Sequence, residues 1–234
     1  MGSNPASPTN VMSVGTQMRL STIHRGVLCC SMLINGYLLA PGVDHFSAFL
    51  EAAVATGMDL TGAHFREGNL RGIDFSHSNL ESSNFYNADL SNAKMSSCSL
   101  RFARLGHANL FRADLAGADM YKAELHDSDL TQANLLRCNL TDSDFTRSHF
   151  READLSYSSL VGACLTSANL WGANLSFVDF TDADLSDTDL TNACLHGAIF
   201  KNTDFTNADL TNADLAGTDV SCSNFTGVIG LSHT

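Results

Sequence analysis

Few side chains in this chain could do chemistry, and most of those are of one kind. His107 and His126 could approach one another, with Glu124 close by on the same face. Two imidazoles beside a carboxylate make a zinc-ligand set. On a convex, solvated wall without a fixed second shell, that trio reads as coincidence, so neither a metal nor a cofactor is expected. His64, His77, His149 and His196 read as scattered surface residues. Asp is abundant, and paired carboxylates would suit hydrolysis or calcium binding. These Asp residues return at one fixed place in a short repeat, however, where a short polar side chain can bond local backbone and satisfy a turn. There is no Gly-x-Ser-x-Gly elbow, no P-loop, no His-Glu-x-x-His and no Cys-x-x-Cys pair. The chain is expected not to be an enzyme.

The elements that must position these groups follow from one period. Every fifth residue from Leu60 to Phe225 is large and apolar: twenty-two Leu, nine Phe, two Met and one Val over thirty-four positions. Two residues before each such centre the chain is nearly always small, Ala in eighteen cases, with only Met58, Ile73 and Val178 bulky. One residue before it, fifteen are Asp and nine are Asn, as in Ala113-Asp114-Leu115 and Ala133-Asn134-Leu135. A period of five fits neither a helix nor a flat strand, and no 3.5-residue spacing persists to suggest a coiled coil. Five residues can instead form one side of a square coil, with the centre and the small residue inward and three residues outward. Four sides then make a coil of twenty, and coils stack at a spacing of about 4.8 Å.

The unit resembles that of the pentapeptide-repeat family: a small residue, Asp or Asn, Leu or Phe, then two variable positions. The resemblance covers roughly residues 58–227 and implies an all-β solenoid, a right-handed quadrilateral parallel β-helix. Thirty-four sides would make about eight coils and a rod roughly 40 Å long. Residues twenty apart should stack, so that Phe65, Phe85, Leu105 and Leu125 begin one internal column and Leu70, Leu90, Leu110 and Leu130 another. A narrow interior explains the small residues, because a second bulky group per side would overpack it.

Such a coil leaves only its outer walls for function. The chain carries 13 Lys/Arg against 25 Asp/Glu, and the charge is uneven. Residues 1–151 hold twelve basic and fourteen acidic residues, whereas residues 152–234 hold Lys201 against eleven acids. Binding phosphate needs positive charge, so direct nucleic-acid binding is disfavoured. A basic partner, or imitation of DNA's own charge, is physically allowed. Asp179, Asp182, Asp184, Asp187, Asp189, Asp204 and Asp209, joined by Asp214 and Asp219, crowd the later coils. Exposed aromatic clusters often mark interaction sites. Tyr157 and Phe177 fall on successive coils, and Trp171 stacks one coil above Arg151 as a cation–π pair. These acids and aromatics, with Arg151, form the candidate partner-binding set.

The ends need covering, since open strand edges and an apolar interior recruit other chains. Residues 1–10 read as a disordered tail and 11–57 as a cap. Within the cap, an apolar run over 27–34, Asn35-Gly36 and Tyr37-Leu38-Leu39 predict a β-hairpin. Asp44 caps a helix predicted over 45–56, with Phe46, Phe49, Leu50, Ala53 and Val54 on one face and Gly57 as its stop. Residues 228–234 form a C-terminal tail. There Val228, Ile229 and Leu231 either fold over the last coil or meet a second copy in a homodimer. No apolar run is long enough to span a bilayer, Ala6 breaks the myristoylation motif, and no signal peptide is evident. The seven cysteines make no disulfide framework. A reduced, cytoplasmic location without a membrane partner is expected.

These readings lead to a non-catalytic rod that presents acidic and aromatic faces to a protein partner. A more specific alternative comes from the family resemblance. Quinolone-resistance members are similar rods that imitate duplex DNA and bind type II topoisomerases such as DNA gyrase, which the acidic later half suits. The second alternative is a bacterial effector or adaptor module.

Overall fold

The computed structural model describes residues 17–18, 32–34, 37–45 and 47–231. From residue 41 to residue 230 the backbone repeats one five-residue side: two turn residues, the small residue, a bridging residue and the centre. The bridges are parallel and join residues twenty apart, from Asp44↔His64 through Asn134↔Asp154 to Asp209↔Ile229. Four sides therefore make one coil, and the coils stack as a parallel β-helix.

The hydrogen bonds of residues 110–114 show why the unit closes. Leu110 N donates to Asp129 O on the next coil (2.7 Å), and Arg112 N donates to Thr131 O on the same coil (3.0 Å). Asp114 N donates back to Ala93 O on the previous coil (2.9 Å). Ala113 N closes the turn on Leu110 O (2.9 Å). The remaining donor, Phe111 N, is taken by the Asn109 side chain, Oδ1, at 3.0 Å. All five N–H groups have partners, as buried backbone requires. The turn puts its second central residue at positive φ, here Arg112 at 56°, the geometry of a type II turn. Asp or Asn before the centre is thus explained by the local backbone bond expected of it.

The interior holds the centres. From Leu60 to Leu210 each is at most 1% exposed. The predicted columns form: Phe65 stacks on Phe85 with centroids 5.1 Å apart, and Phe205 on Phe225 at 4.9 Å. Where the small inward residue is polar, its side chain donates either to the carbonyl of the centre three residues before it, as Ser83, Ser148 and Thr188 do, or to a carbonyl of the previous coil; buried Ser128 Oγ does neither. Ser78 Oγ bonds Ala55 O at 2.8 Å, and Ser158 Oγ bonds Leu135 O at 2.7 Å. Cys98 and Cys138 do the same with Phe75 O (2.9 Å) and Leu115 O (3.1 Å). Both are free thiols. Burial pushes Cys98 up to about 11 and Cys138 up to about 12.

The N-terminal end corrects two expectations. The hairpin is present: β2 (Met32–Ile34) pairs antiparallel with β3 (Tyr37–Leu39), with Ile34 opposite Tyr37 across Asn35-Gly36. A short β1 (Gln17–Met18) pairs with β2 on its other side. Residues 27–31, the start of the expected first hairpin strand, lie outside the described residues, as do 1–10, and Phe46 of the expected helix. Ile34 and Leu39 are buried in the core cluster. The helix over 45–56 does not form. Those residues run on in the five-residue pattern, bridging Asp44, Phe49 and Val54 to His64, Asn69 and Asp74. Leu50 and Ala55 are centres with no exposure, while Phe49 and Val54 point out at 57% and 54%. Gly57, read as a helix stop, is a turn residue at φ 63°. The parallel ladder with the following coil takes backbone groups that a helix would have used on itself. The stack therefore begins at 41, not 58, and its coils outnumber the eight or so expected.

At the far end Leu210 N still donates to Ile229 O, so part of the expected tail is coil. Val228 packs partly against the core, but Ile229 and Leu231 stay exposed at 57% and 41%. The first alternative, a fold-over cover, is not what these two side chains make. No helix among the described residues is long and apolar enough to cross a membrane.

Two outcomes follow. Leu130→Ala should lower stability by about 2–5 kcal/mol in denaturant unfolding, as truncating a buried Leu does. Peptide mapping after mild alkylation of the native chain should find exposed Cys222 modified, with Cys98 and Cys138 protected until unfolding.

Candidate functional site

Each expected surface residue owes its place to the register. Trp171 opens the side 171–175, Phe177 and Asp179 share the side 176–180, and Asp182 with Asp184, then Asp187 with Asp189, occupy the next two. Asp204 and Asp209 lie one coil on, bridged to Asp184 and Asp189. The acids are therefore spread over three successive sides, not gathered on one face.

The aromatics form two groups. Arg151 sits over the Trp171 ring, its guanidinium carbon 4.1 Å from the centroid. On another wall Tyr157 stacks on Phe177 at 5.0 Å, with planes 16° apart. This pair is exposed, at 55% and 44%. Sequence reasoning found these residues but missed what flanks them. Arg137 lies 5.7 Å from the Tyr157 centroid, and His196 meets Phe177 edge-on at 5.3 Å. Gly197 lies one coil beyond Phe177, where an added Cβ would come within 2.7 Å of the Phe177 ring. Residues 137, 157, 177 and 197 were legible as a column from the twenty-residue period alone.

Charge is handled differently in the two halves. Earlier coils pair their acids with cations: Arg101 with Asp119 at 2.9 Å, Arg104 with Glu124 at 3.3 Å and Arg147 with Asp127 at 2.7 Å. Later acids take hydrogen-bond donors. Asp179 Oδ1 accepts from Thr181 N (2.9 Å) and Oγ1 (2.6 Å). Asp184 Oδ1 accepts from Ser186 N at 2.9 Å and Asp189 Oδ1 from Thr191 N at 3.0 Å. Asp182 and Asp187 accept from Asn202 and Asn207 at 2.9 and 3.1 Å. The Thr206 hydroxyl and N–H hold Asp204 below the usual carboxylate range, and the Thr211 groups do the same for Asp209. Both shifts are downward, so the hydrogen-bond donors outweigh the partial desolvation that opposes them.

A third feature was misjudged in the sequence. The histidine cluster exists, but its carboxylate is Asp127 and not Glu124, which is engaged by Arg104. Beside it lies an open groove of about 400 Å³, lined by Arg66, Tyr86, Arg104, Gly106, Glu124 and His126 among others. Gly106 lines it, and the His126 ring occupies the space a side chain there would take.

The family model for pentapeptide repeats, in eight copies, matches residues 59–96, 98–135, 133–172, 172–207 and 193–229. The chain belongs to the pentapeptide-repeat family. Membership implies the right-handed sense of the β-helix expected above. One similar solved structure is HetL, a pentapeptide repeat protein involved in heterocyst differentiation regulation from the cyanobacterium Nostoc sp. strain PCC 7120. The two are 31% identical over 82% of this chain and 92% of HetL, with a TM-score of 0.41. QnrB1, a plasmid-mediated fluoroquinolone resistance protein, is 19% identical in its trypsin-treated form over 80% of this chain and 87% of that one, with a TM-score of 0.42. A thylakoid-lumen pentapeptide repeat protein of Arabidopsis thaliana is 25% identical over 43% of this chain and 63% of its own, with a TM-score of 0.26. No curated protein matches the chain.

The lowered carboxyls set a pH dependence. Asp204, Asp209 and Asp219 have folded pKa values below the unfolded value of about 3.9. Their stabilising contribution is complete above that value and is lost as pH falls through the folded one. The thermal midpoint should therefore drop on acidification below about pH 4. In an NMR carboxyl titration, Thr206→Val should raise the pKa of Asp204 and leave that of Asp209 in place.

Proposed function

We propose that this pentapeptide-repeat protein is a non-catalytic interaction rod whose outer wall binds a protein partner. The observation that carries the reading is the division of the molecule. Its interior is filled by fully buried centres, while Tyr157, Phe177 and the Arg151–Trp171 pair stand on the outside beside acids at Asp179, Asp182 and Asp184. Rigid rings held by the coil lose little conformational entropy on docking, which favours them as contact residues. Asp187, Asp189, Asp204 and Asp209 extend the acidic area, so a partner with a basic contact face fits. A reducing cytoplasmic setting suits the free thiols, and a second copy could meet the exposed Ile229 and Leu231 of the last coil.

A second reading is favoured by the vertical stacking of Asp184 on Asp204 and Asp189 on Asp209. Carboxylates repeated along a rod approximate a polyanion, and the DNA-imitating reading with a type II topoisomerase as partner rests on that feature. Against it, the described repeats run from 47 to 230 without an inserted loop.

The two readings separate by experiment. A partner captured by the wild-type chain should be lost with Phe177→Ala and with Trp171→Ala. Asp-to-Asn changes at 179, 182, 184, 187 and 189 should weaken capture most at low salt. Capture equal in all variants, or a substrate turned over and lost with one outward His or Asp, ends the first reading. In a gyrase supercoiling assay, neither inhibition nor protection from a quinolone at micromolar protein removes the second.

A further inference from the structure

The earlier coils carry one cluster that the interaction surface does not use. His107 and Asp127 occupy the same turn position one coil apart, both at φ 58°, and His126 directly precedes Asp127. Stacking brings the three side chains together. Asp127 Oδ2 lies 3.1 Å from His126 Nδ1 and 3.8 Å from His107 Nε2. The three donor atoms all fall within 4.8 Å of one another. The two imidazoles meet edge to face, with centroids 5.3 Å apart.

These separations are close to those a metal ion imposes. Donor atoms around a tetrahedral zinc ion with bonds of about 2.0–2.1 Å lie roughly 3.3–3.4 Å apart. The 3.1 and 3.8 Å separations from Asp127 Oδ2 lie on either side of that spacing. Two nitrogens and one oxygen suit zinc and its neighbours, whereas calcium and magnesium prefer oxygen alone.

Each candidate ligand is also supported, which the sequence reading had denied. Arg147, one coil on, donates Nε to Asp127 Oδ1 at 2.8 Å and Nη2 to Oδ2 at 2.7 Å. These two bonds fix the position and orientation of the carboxylate on the wall. An ionised carboxylate has about four acceptor sites, and Arg147 leaves room for a metal on Oδ2. Tyr86 packs edge-on against His107 at 5.2 Å. Gly106 makes space for His126, since an added Cβ would lie 2.7 Å from its Nε2. Hydrogen bonds to a ligand, such as those from Arg147 to Asp127, orient metal ligands in proteins.

We propose that His107, His126 and Asp127 bind a divalent transition-metal ion of the zinc class on the outer wall. Three protein ligands leave a fourth position open to water or to a donor from a bound molecule. In the tautomer that carries its proton on His126 Nδ1, toward Asp127, that proton gives way to the metal. In a neutral ring it moves to Nε2, and from a charged ring one proton is also released to water.

The test uses the full chain, stripped with a chelator and titrated with Co²⁺ under reducing conditions. One equivalent should bind, with visible d–d absorption but no thiolate charge-transfer band, and Zn²⁺ should displace it. His107→Ala and His126→Ala should each weaken binding by at least about tenfold, with the circular dichroism of the rod unchanged because these side chains stand outside the core. Gly106→Ala keeps every ligand and should also weaken binding, because it displaces the His126 ring. Failure to retain either ion in excess overturns the proposal. So does binding undiminished in both histidine variants, or a cobalt–thiolate band that survives in them and assigns the ion to cysteine.

Discussion

Each five-residue side carries five backbone N–H groups that must find partners around an interior too narrow for water. Three go to neighbouring coils, one closes the turn, and where Asp or Asn precedes the centre that side chain takes the last, as Asn109 takes Phe111 N. This allocation fixes much of the rest. It requires a left-handed turn residue on every side, and the chain accepts it even at Phe102, Tyr157 and Phe177, where a side chain costs about 1–2 kcal/mol. The ladder bonds of that same residue, such as Tyr157 N to Ser176 O at 3.0 Å, help offset the strain.

A wall built this way has its own grammar. Each outward side chain meets chiefly the residues twenty before and twenty after it, so chemistry is assembled in columns. Arg112 donates to Gln132 and Gln132 to Glu152, each at 2.7 Å. Asn over Asp recurs likewise, as in Asn134 on Asp114 at 3.0 Å. Earlier columns alternate sign and neutralise themselves. Later columns put acid on acid and rely on Thr and Ser donors, which leaves a field pointing outward. The aromatic column of Tyr157 and Phe177 interrupts that field with apolar surface. Together they place exposed rings beside a field of carboxylates.

The sequence reading went astray where the repeat was disguised. His45 and Ala55 stand at centres where Leu or Phe is usual, and Phe49 and Val54 occupy the outward bridging place. Their combined spacing imitates a helical face. His45 is nonetheless buried at 3% and stacks on Phe65 at 5.0 Å, with burial lowering its pKa despite Asp44. No local property of residues 41–57 announces this. The coil that begins at 61 supplies the carbonyls, for instance Asn69 O for Leu50 N at 2.9 Å, and so decides it.

What the amino-acid order determined by itself was the period: which residues go inward, which share a column, why Asp and Asn recur, and that the later half is acidic. Those properties are one-dimensional, set by spacing alone, and survive any choice of rotamer. Tertiary structure decided the matters that depend on competition between neighbours. Arg104 claims Glu124, Asp127 stands beside the histidines while held by Arg147, Gly106 opens the wall to His126, and an existing coil templates the one before it. Such outcomes turn on distances of a few tenths of an ångström between side chains far apart in the chain, and spacing in sequence does not encode them.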